Sequence, residues 1–232
     1  MRTAIVIGAT GLVGAQLVEL LLRDTRFEKV KIFVRRSAGI SNSKLEEHVV
    51  NFEEVDNWKK LITGDVLYSA LGSTLRKAGG KEEQYNIDYT YQYKIARTAA
   101  YNDVKEYVLI SSAGSNPASK MFYTRMKGEL ERDIQKLPFE TIHIIRPGVL
   151  LGDREEVRTA EKIGAGVMKL LSAIPGLHKL KPIRSEDVAQ AMINATFRHV
   201  IGIHSYSLAQ VFKLARKIED VKIEDVIISP QH

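Results

Sequence analysis

The chain has 232 residues, no cysteine, 44% hydrophobic side chains and a formal net charge of +6. That length fits one large domain, and the lack of thiols excludes a disulfide framework, thiolate metal sites and a cysteine nucleophile. No stretch approaches the roughly 20 apolar residues of a membrane span, and Gly8 cuts short the apolar start, so neither a membrane nor a leader segment is expected and the cytoplasm is the expected location. The positive excess is spread along the chain, without a run of about five like charges, so no nucleic-acid partner is expected either.

In chain order, short β-branched or aromatic runs at 3–7, 30–34, 48–52, 66–71, 107–110 and 141–145 read as strands. They are mostly apolar throughout, as in a sheet buried on both faces. Between them, 12–23, 84–101 and 120–136 have the length and periodicity of helices. The alternation predicts an α/β fold, a doubly wound Rossmann-like parallel sheet with right-handed crossovers. All six prolines lie at or beyond Pro117, and the pattern changes after residue 151. A helix is expected over 155–173, stopping at Pro175-Gly176. A second starts with Ser185 as N-cap and runs to 197, and a third covers 208–219. The reading is a single domain: a cofactor-binding core over 1–150 and a small helical substrate-side appendage over 151–232.

Thr3-Ala4-Ile5-Val6-Ile7 runs straight into Gly8-Ala9-Thr10-Gly11-Leu12-Val13-Gly14 and then into an apolar helix. A strand delivered to a tight glycine turn at a helix N-terminus is a pyrophosphate site. Gly8 supplies the turn, Gly11 lets the backbone approach the phosphates, and Gly14 lets helix and strand pack closely. The second strand ends in Arg35-Arg36, where a site preferring NAD(H) would place an acidic residue for the ribose 2′-hydroxyl. Arginines suit a 2′-phosphate, so NADP(H) is the expected cofactor in preference to NAD(H).

The strand at 107–110 runs into Ser111-Ser112, and Tyr123 and Lys127 follow at helical i, i+4 spacing. A cation beside a phenol lowers its pKa from the ordinary value of about 10, as acid–base work at neutral pH needs. A hydroxyl from the strand end would hold a substrate oxygen. Tyr-x-x-x-Lys alone is a weak signal, but a Ser-Ser strand end and a phosphate loop in the same chain sharpen it.

With these motifs the chain resembles the short-chain dehydrogenase/reductase superfamily, in its extended or atypical branch. The loop from Gly8 to Gly14 is similar to that branch's Gly-x-x-Gly-x-x-Gly, and Arg146-Pro147-Gly148-Val149 resembles its strand end bordering the nicotinamide. Pro182-Ile183 with Glu186-Asp187-Val188-Ala189 looks like its late strand and helix start. A closer similarity is to the Tat-interacting-protein-like oxidoreductases, carried by Val50-Asn51-Phe52-Glu53, Leu71-Gly72-Ser73-Thr74, Phe122-Tyr123 with Lys127-Gly128-Glu129, and Arg146 to Leu151. The resemblance implies Ser112, Tyr123 and Lys127 as a reductase triad, with Ser111 the less favoured hydroxyl and Asn86 at the family's asparagine position. It implies a cofactor held by Gly8, Thr10, Gly11, Leu12, Val13, Gly14, Arg35 and Arg36. Ala70, Leu71 and Gly72 would pass beneath it, with Ser111, Tyr123, Lys127, Pro147, Gly148 and Val149 around the nicotinamide half.

The six histidines have no metal spacing, and no metal is expected. Tyr85, Tyr89 and Tyr93 form a stripe that reads as packing surface, or as a homodimer patch in the resembled family. Trp58, Leu61 and Ile62 suggest a small buried cluster, and Lys213, Arg216 and Lys217 a solvated helix face. Two functions stand: an NADP(H)-dependent oxidoreductase of a small carbonyl or alcohol substrate, and an NADPH-binding regulator with little turnover. A sugar-nucleotide epimerase or dehydratase is third, because few residues follow the last motif.

Overall fold

The computed structural model describes residues 1–151 and 182–216. Its strands are β1 (Arg2–Ile7), β2 (Phe27–Val34), β3 (Leu45–Val49), β4 (Val66–Ser69), β5 (Glu106–Ile110), β6 (Thr141–Arg146), β7 (Leu150–Leu151), β8 (Ile183–Arg184) and β9 (Gly202–Ser207). Its helices are α1 (Leu12–Arg23), α2 (Val55–Trp58), α3 (Leu75–Ala78), α4 (Lys81–Tyr85), α5 (Gln92–Tyr101), α6 (Phe122–Ile134), α7 (Ser185–Ala195) and α8 (Ala209–Ala215), with a π-helical segment at Asn86–Tyr91 between α4 and α5.

Seven strands form one sheet in the order β3-β2-β1-β4-β5-β6-β9, every pair parallel. The chain winds from β1 out to β3, returns to the other side of β1 with β4, and then winds out the opposite way. The crossovers on either side therefore diverge between β1 and β4. That leaves a crevice beyond the carboxyl ends of those two strands, where open α/β sheets bind ligands.

Side chains that alternate along each strand enter two different cores. Ala4, Val6, Val30, Ile32, Tyr68 and Val108 pack under α1, α7 and α8. Ile5, Ile7, Phe33, Leu67, Tyr107 and Leu109 pack under α5 and α6. Both faces are covered, so neither parity of residue can be polar, and the strands read as continuous apolar runs. Each fully buried Leu or Ile contributes about 1.5–3 kcal/mol relative to an exposed one.

Helix α1 matches its expected range, and the other differences have local causes. The third strand lies at Leu45–Val49, because Asn51 accepts the Glu53 N–H at 3.0 Å, closing a 3-10 turn that drives Phe52 into the second core. β4 ends at Ser69, since the backbone of Ala70 and Leu71 must turn away against Gly8. The expected helix over 84–101 starts at Lys81, and 120–136 shortens to Phe122–Ile134. Ser185 is the first helical residue rather than the cap; Arg184 holds the cap position with no side-chain hydrogen bond. Trp58 stacks on Phe33 at 5.0 Å and Ile62 is fully buried, but Leu61 is exposed.

β9 has no counterpart among the expected strands. Its sequence Gly-Ile-His-Ser-Tyr-Ser is polar, as an edge strand tolerates. It and α7 make the described part of the expected appendage an extension of the main sheet and its core. The expected helix over 155–173 and residues 217–219 of the third helix lie outside the described residues.

Candidate active site

The crevice is built first of backbone. Gly8 follows β1 with φ +82°, and a Cβ there would stand 2.4 Å from the Ala70 carbonyl and the Leu71 nitrogen. A Cβ on Gly14 would stand 1.9 Å from the Gly8 oxygen, and one on Gly11 would be 3.2 Å from it. Any side chain at Gly8 or Gly14 would push the strand–turn–helix unit apart. Gly11 holds the N-cap of α1 with no side-chain hydrogen bond and no acidic residue in the first turn. The leading N–H groups of α1, at Leu12 and Val13, therefore face the turn without a capping side chain, at the positive end of the helix dipole. Thr10 and Gly11 are exposed beside them.

Ile7 pairs with Phe33 across β1 and β2, so Arg35 and Arg36 lie just beyond the level of the Gly8 turn. Both are exposed, and neither forms an ion pair among the described residues. The nearby carboxylate of Glu47 on β3 is already engaged, accepting the Ala38 N–H at 2.7 Å. The neighbouring Ser37 and the Ala38 N–H hold it below the usual carboxylate range.

β5 delivers Ser111 and Ser112 to the same end of the sheet. The Ser111 N–H donates to Ile145 at 2.8 Å and the Ala113 N–H to Pro147 at 3.0 Å, which sets Pro147, Gly148 and Val149 beside the serine loop. Ser115 tightens this loop, donating to the Ser112 carbonyl at 2.8 Å with its hydroxyl 3.0 Å from that of Ser111. Tyr123 and Lys127 share one face of α6, and Ser112 lies close enough to Tyr123 to act on its phenol, with the Ser112 hydroxyl itself donating to the Ala113 carbonyl at 3.3 Å. Ser112, Tyr123 and Lys127 thus stand together at this end of the sheet.

The expected lowering of the Tyr123 pKa is not found. Burial pushes the phenol above its ordinary 10.0; the Lys127 charge pulls it down and the Asp88 carboxylate pushes it up again. Lys127 is also held above 10.5, because Asp88, with its Oδ1 at 3.0 Å, outweighs the cost of burying the ammonium.

Asn86 does not join the cluster. Its half-buried side chain donates instead to Glu83 at 3.5 Å, and Asp88, two residues on, takes the place facing Lys127. The sequence signal for Asp88 was a polar stripe at i, i+4, i+8. Gln84, Asp88 and Gln92 are all buried, on a helix whose neighbouring stripe is Tyr85, Tyr89 and Tyr93. The tyrosine hydroxyls turn to α6, Tyr85 donating to Glu129 at 3.1 Å and Tyr89 to Asp133 at 2.9 Å. In the sequence Gly128 stands out only within a motif, yet a Cβ there would meet the backbone of Asn116 and Pro117 at 2.3 Å. Its bareness lets the serine loop rest on α6. Arg146 closes the far side, paired through two nitrogens with the buried Glu131. Among the described residues no group of three or more His, Asp or Glu is placed to hold a metal.

Residues 8–199 match a family model described as NAD(P)H-binding. The FMP52-1 protein of Scheffersomyces stipitis, named mitochondrial, is 35% identical over 199 residues, covering 83% of this chain and 87% of its own. The mitochondrial FMP52 protein of Candida albicans is 34% identical over 208 residues, covering 85% and 89%. Among solved structures, the Bordetella bronchiseptica enzyme WbmH in complex with NAD+ superposes with a TM-score of 0.67 at 16% identity, over 90% of this chain and 75% of that one. A UDP-glucose 4-epimerase from Thermotoga maritima gives 0.66 at 14%, over 92% and 81%. At such identities the likeness shows the fold. The mitochondrial names of the sequence relatives overturn the expected cytoplasmic location, which composition could not decide because a missing cysteine reports only on thiol chemistry. The glycine turn, the crevice it opens and the matched span together make this chain a member of the NAD(P)H-binding family, among FMP52-type proteins and with the Rossmann fold of the short-chain dehydrogenase/reductase superfamily.

Proposed function

We propose that the chain is an NADP(H)-dependent oxidoreductase of a small carbonyl or alcohol substrate, working at mitochondria as the names of its relatives suggest. The observation that carries the reading is the meeting of Ser112, Tyr123 and Lys127 beside a backbone cradle that no side chain at Gly8 or Gly14 could share. The cradle fits a dinucleotide: its glycines admit a pyrophosphate, and the N–H groups of Leu12 and Val13 point at it. Arg35 and Arg36 would receive a 2′-phosphate, and the engagement of Glu47 with the Ala38 N–H supports NADP(H) over NAD(H). When bound, the nicotinamide supplies or accepts the hydride.

Ser112 would donate a hydrogen bond to the substrate oxygen and orient it. Tyr123 would give that oxygen its proton in reduction, and its raised pKa keeps the phenol protonated at neutral pH. Lys127 would hold the ribose hydroxyls and support the phenolate left behind. Replacing Tyr123 by Phe tests the assignment, with NADPH oxidation followed across aldehydes, ketones and quinones. Turnover by wild type is expected to fall about a hundredfold or more in the variant while NADPH still binds. Undiminished turnover would refute the role of Tyr123, and tight NADPH binding without any wild-type turnover would assign a cofactor-sensing role instead.

A further inference from the structure

We propose that Asp88 is a positioning residue: it fixes the Lys127 ammonium beside Tyr123 and ties α6 to the strand-end segment that passes under the cofactor. This inference rests on the oxidoreductase reading above. Asp88 is 1% exposed, and each of its oxygens has a separate task. Oδ1 lies 3.0 Å from the Lys127 Nζ, and Oδ2 accepts the Ser73 N–H at 2.7 Å. Its neighbours in the polar stripe complete the attachment. Gln84 donates to the Ser73 carbonyl at 3.0 Å, and Gln92 accepts the Ser69 hydroxyl at 2.6 Å while donating to the Asp88 carbonyl at 2.7 Å. The stripe thus grips the chain from the end of β4 to Ser73, the stretch whose backbone walls the Gly8 turn. Gly72 leaves room for this, since a Cβ there would lie 3.3 Å from Asp88 Oδ1. The π-helical segment at Asn86–Tyr91 holds Asp88 in this place, and such widened turns recur at functional sites.

A buried ammonium without a counter-ion loses its proton or leaves its place. Lys127 is faced by Asp88 from the π-helical segment, and by Tyr123 and Glu131 on its own helix. Glu131 is itself committed to Arg146 of β6, which leaves Asp88 as the close partner. Tyr123 is faced by Lys127 and Asp88. Tyr123 and Lys127 titrate as a coupled pair, both held above their ordinary values. Removing the Asp88 charge lowers the pair's hold on protons whichever member gives one up, so any property needing charged Lys127 and protonated Tyr123 fails at lower pH.

The test uses the full chain, with NADPH binding followed by cofactor fluorescence from about pH 7 to about pH 10. Wild type, Asp88→Asn, Lys127→Met and the double variant are compared. Wild-type binding is expected to hold across the range, whereas Asp88→Asn loses NADPH at a midpoint lower by about one pH unit or more. In the Lys127→Met background, Asp88→Asn is expected to shift nothing further. A purely structural Asp88 would weaken binding equally at every pH, and an unmoved midpoint, or an equal shift without Lys127, would overturn the proposal. Should Asp88→Asn fail to fold, the double variant is expected to recover the lost thermal midpoint, and no recovery would also refute the pairing. Turnover of phenanthrenequinone by wild type and Tyr123→Phe is measured alongside. Undiminished turnover by Tyr123→Phe would sink the functional reading, while the binding titration still judges Asp88 by itself.

Discussion

Replacing Gly128 by alanine puts a methyl group where Asn116 and Pro117 already stand. The added Cβ would lie 2.3 Å from the Asn116 carbonyl carbon and the Pro117 nitrogen, whereas ordinary contact begins at 3.4 Å. Loop and helix must therefore part by about 1.1 Å, and both contacted atoms are backbone that cannot swing aside. The Asn116 N–H, bonded to the Thr124 carbonyl at 3.0 Å, is the first contact to stretch. Ser115 then passes the displacement to Ser112, because its hydroxyl holds the Ser112 carbonyl at 2.8 Å. A misplacement of about 1 Å at a reacting centre costs about a hundredfold in rate, or about 2.7 kcal/mol of barrier. Overpacking of this kind costs about 1–3 kcal/mol of stability. The assay is kcat for phenanthrenequinone reduction, beside the NADPH dissociation constant and a denaturant melt. The expected result is a large fall in kcat, a smaller loss of stability and a much smaller change in NADPH affinity, since the glycine cradle stands on other elements. A kcat within about threefold of wild type would refute the claim that Gly128 seats the serine loop.

Arg35→Ala is expected to weaken NADPH binding by about tenfold or more and leave NADH nearly unchanged, as loss of a charge-assisted bond requires. Equal losses for both cofactors, measured by fluorescence titration, would refute the 2′-phosphate role. His143 is 1% exposed, with the Tyr206 hydroxyl 3.3 Å from its Nδ1. Burial, followed by the charges of His204, Arg198 and Arg2, depresses its pKa from 6.5 to about 3. The unfolded chain takes up a proton below pH 6.5 that the native chain refuses until about 3, so stability is full above that window and falls as pH drops through it. The slope reaches about 1.4 kcal/mol per pH unit, and His143→Gln is expected to flatten it in urea melts at pH 5 and pH 7, whereas an unchanged slope would exclude His143 as the cause.

The sequence by itself determined the phosphate loop, because its requirements are local. A strand, a turn with bare backbone and a helix start follow one another within residues 3–14, and each glycine answers to atoms close by in the chain or across one strand. The same holds for Tyr123 and Lys127, whose shared face follows from helical spacing alone. Five of the six expected strands appear close to their places, since burial on both faces leaves continuous apolar runs that are hard to misread.

Tertiary structure alone decided the rest, wherever a residue's role depends on a partner far along the chain. β9 is polar and becomes a strand only because β6 offers it an open edge. Asn86 and Asp88 stand two residues apart on the same helix, and only the π-helical segment and the approach of α6 decide which faces Lys127. Whether the Tyr123 pKa rises or falls is likewise a balance between burial, the Lys127 charge on its own helix and the Asp88 charge that the fold brings from another element. Spacing along a chain fixes which face of a helix a side chain occupies; the field it meets there is set by what the fold packs against that face.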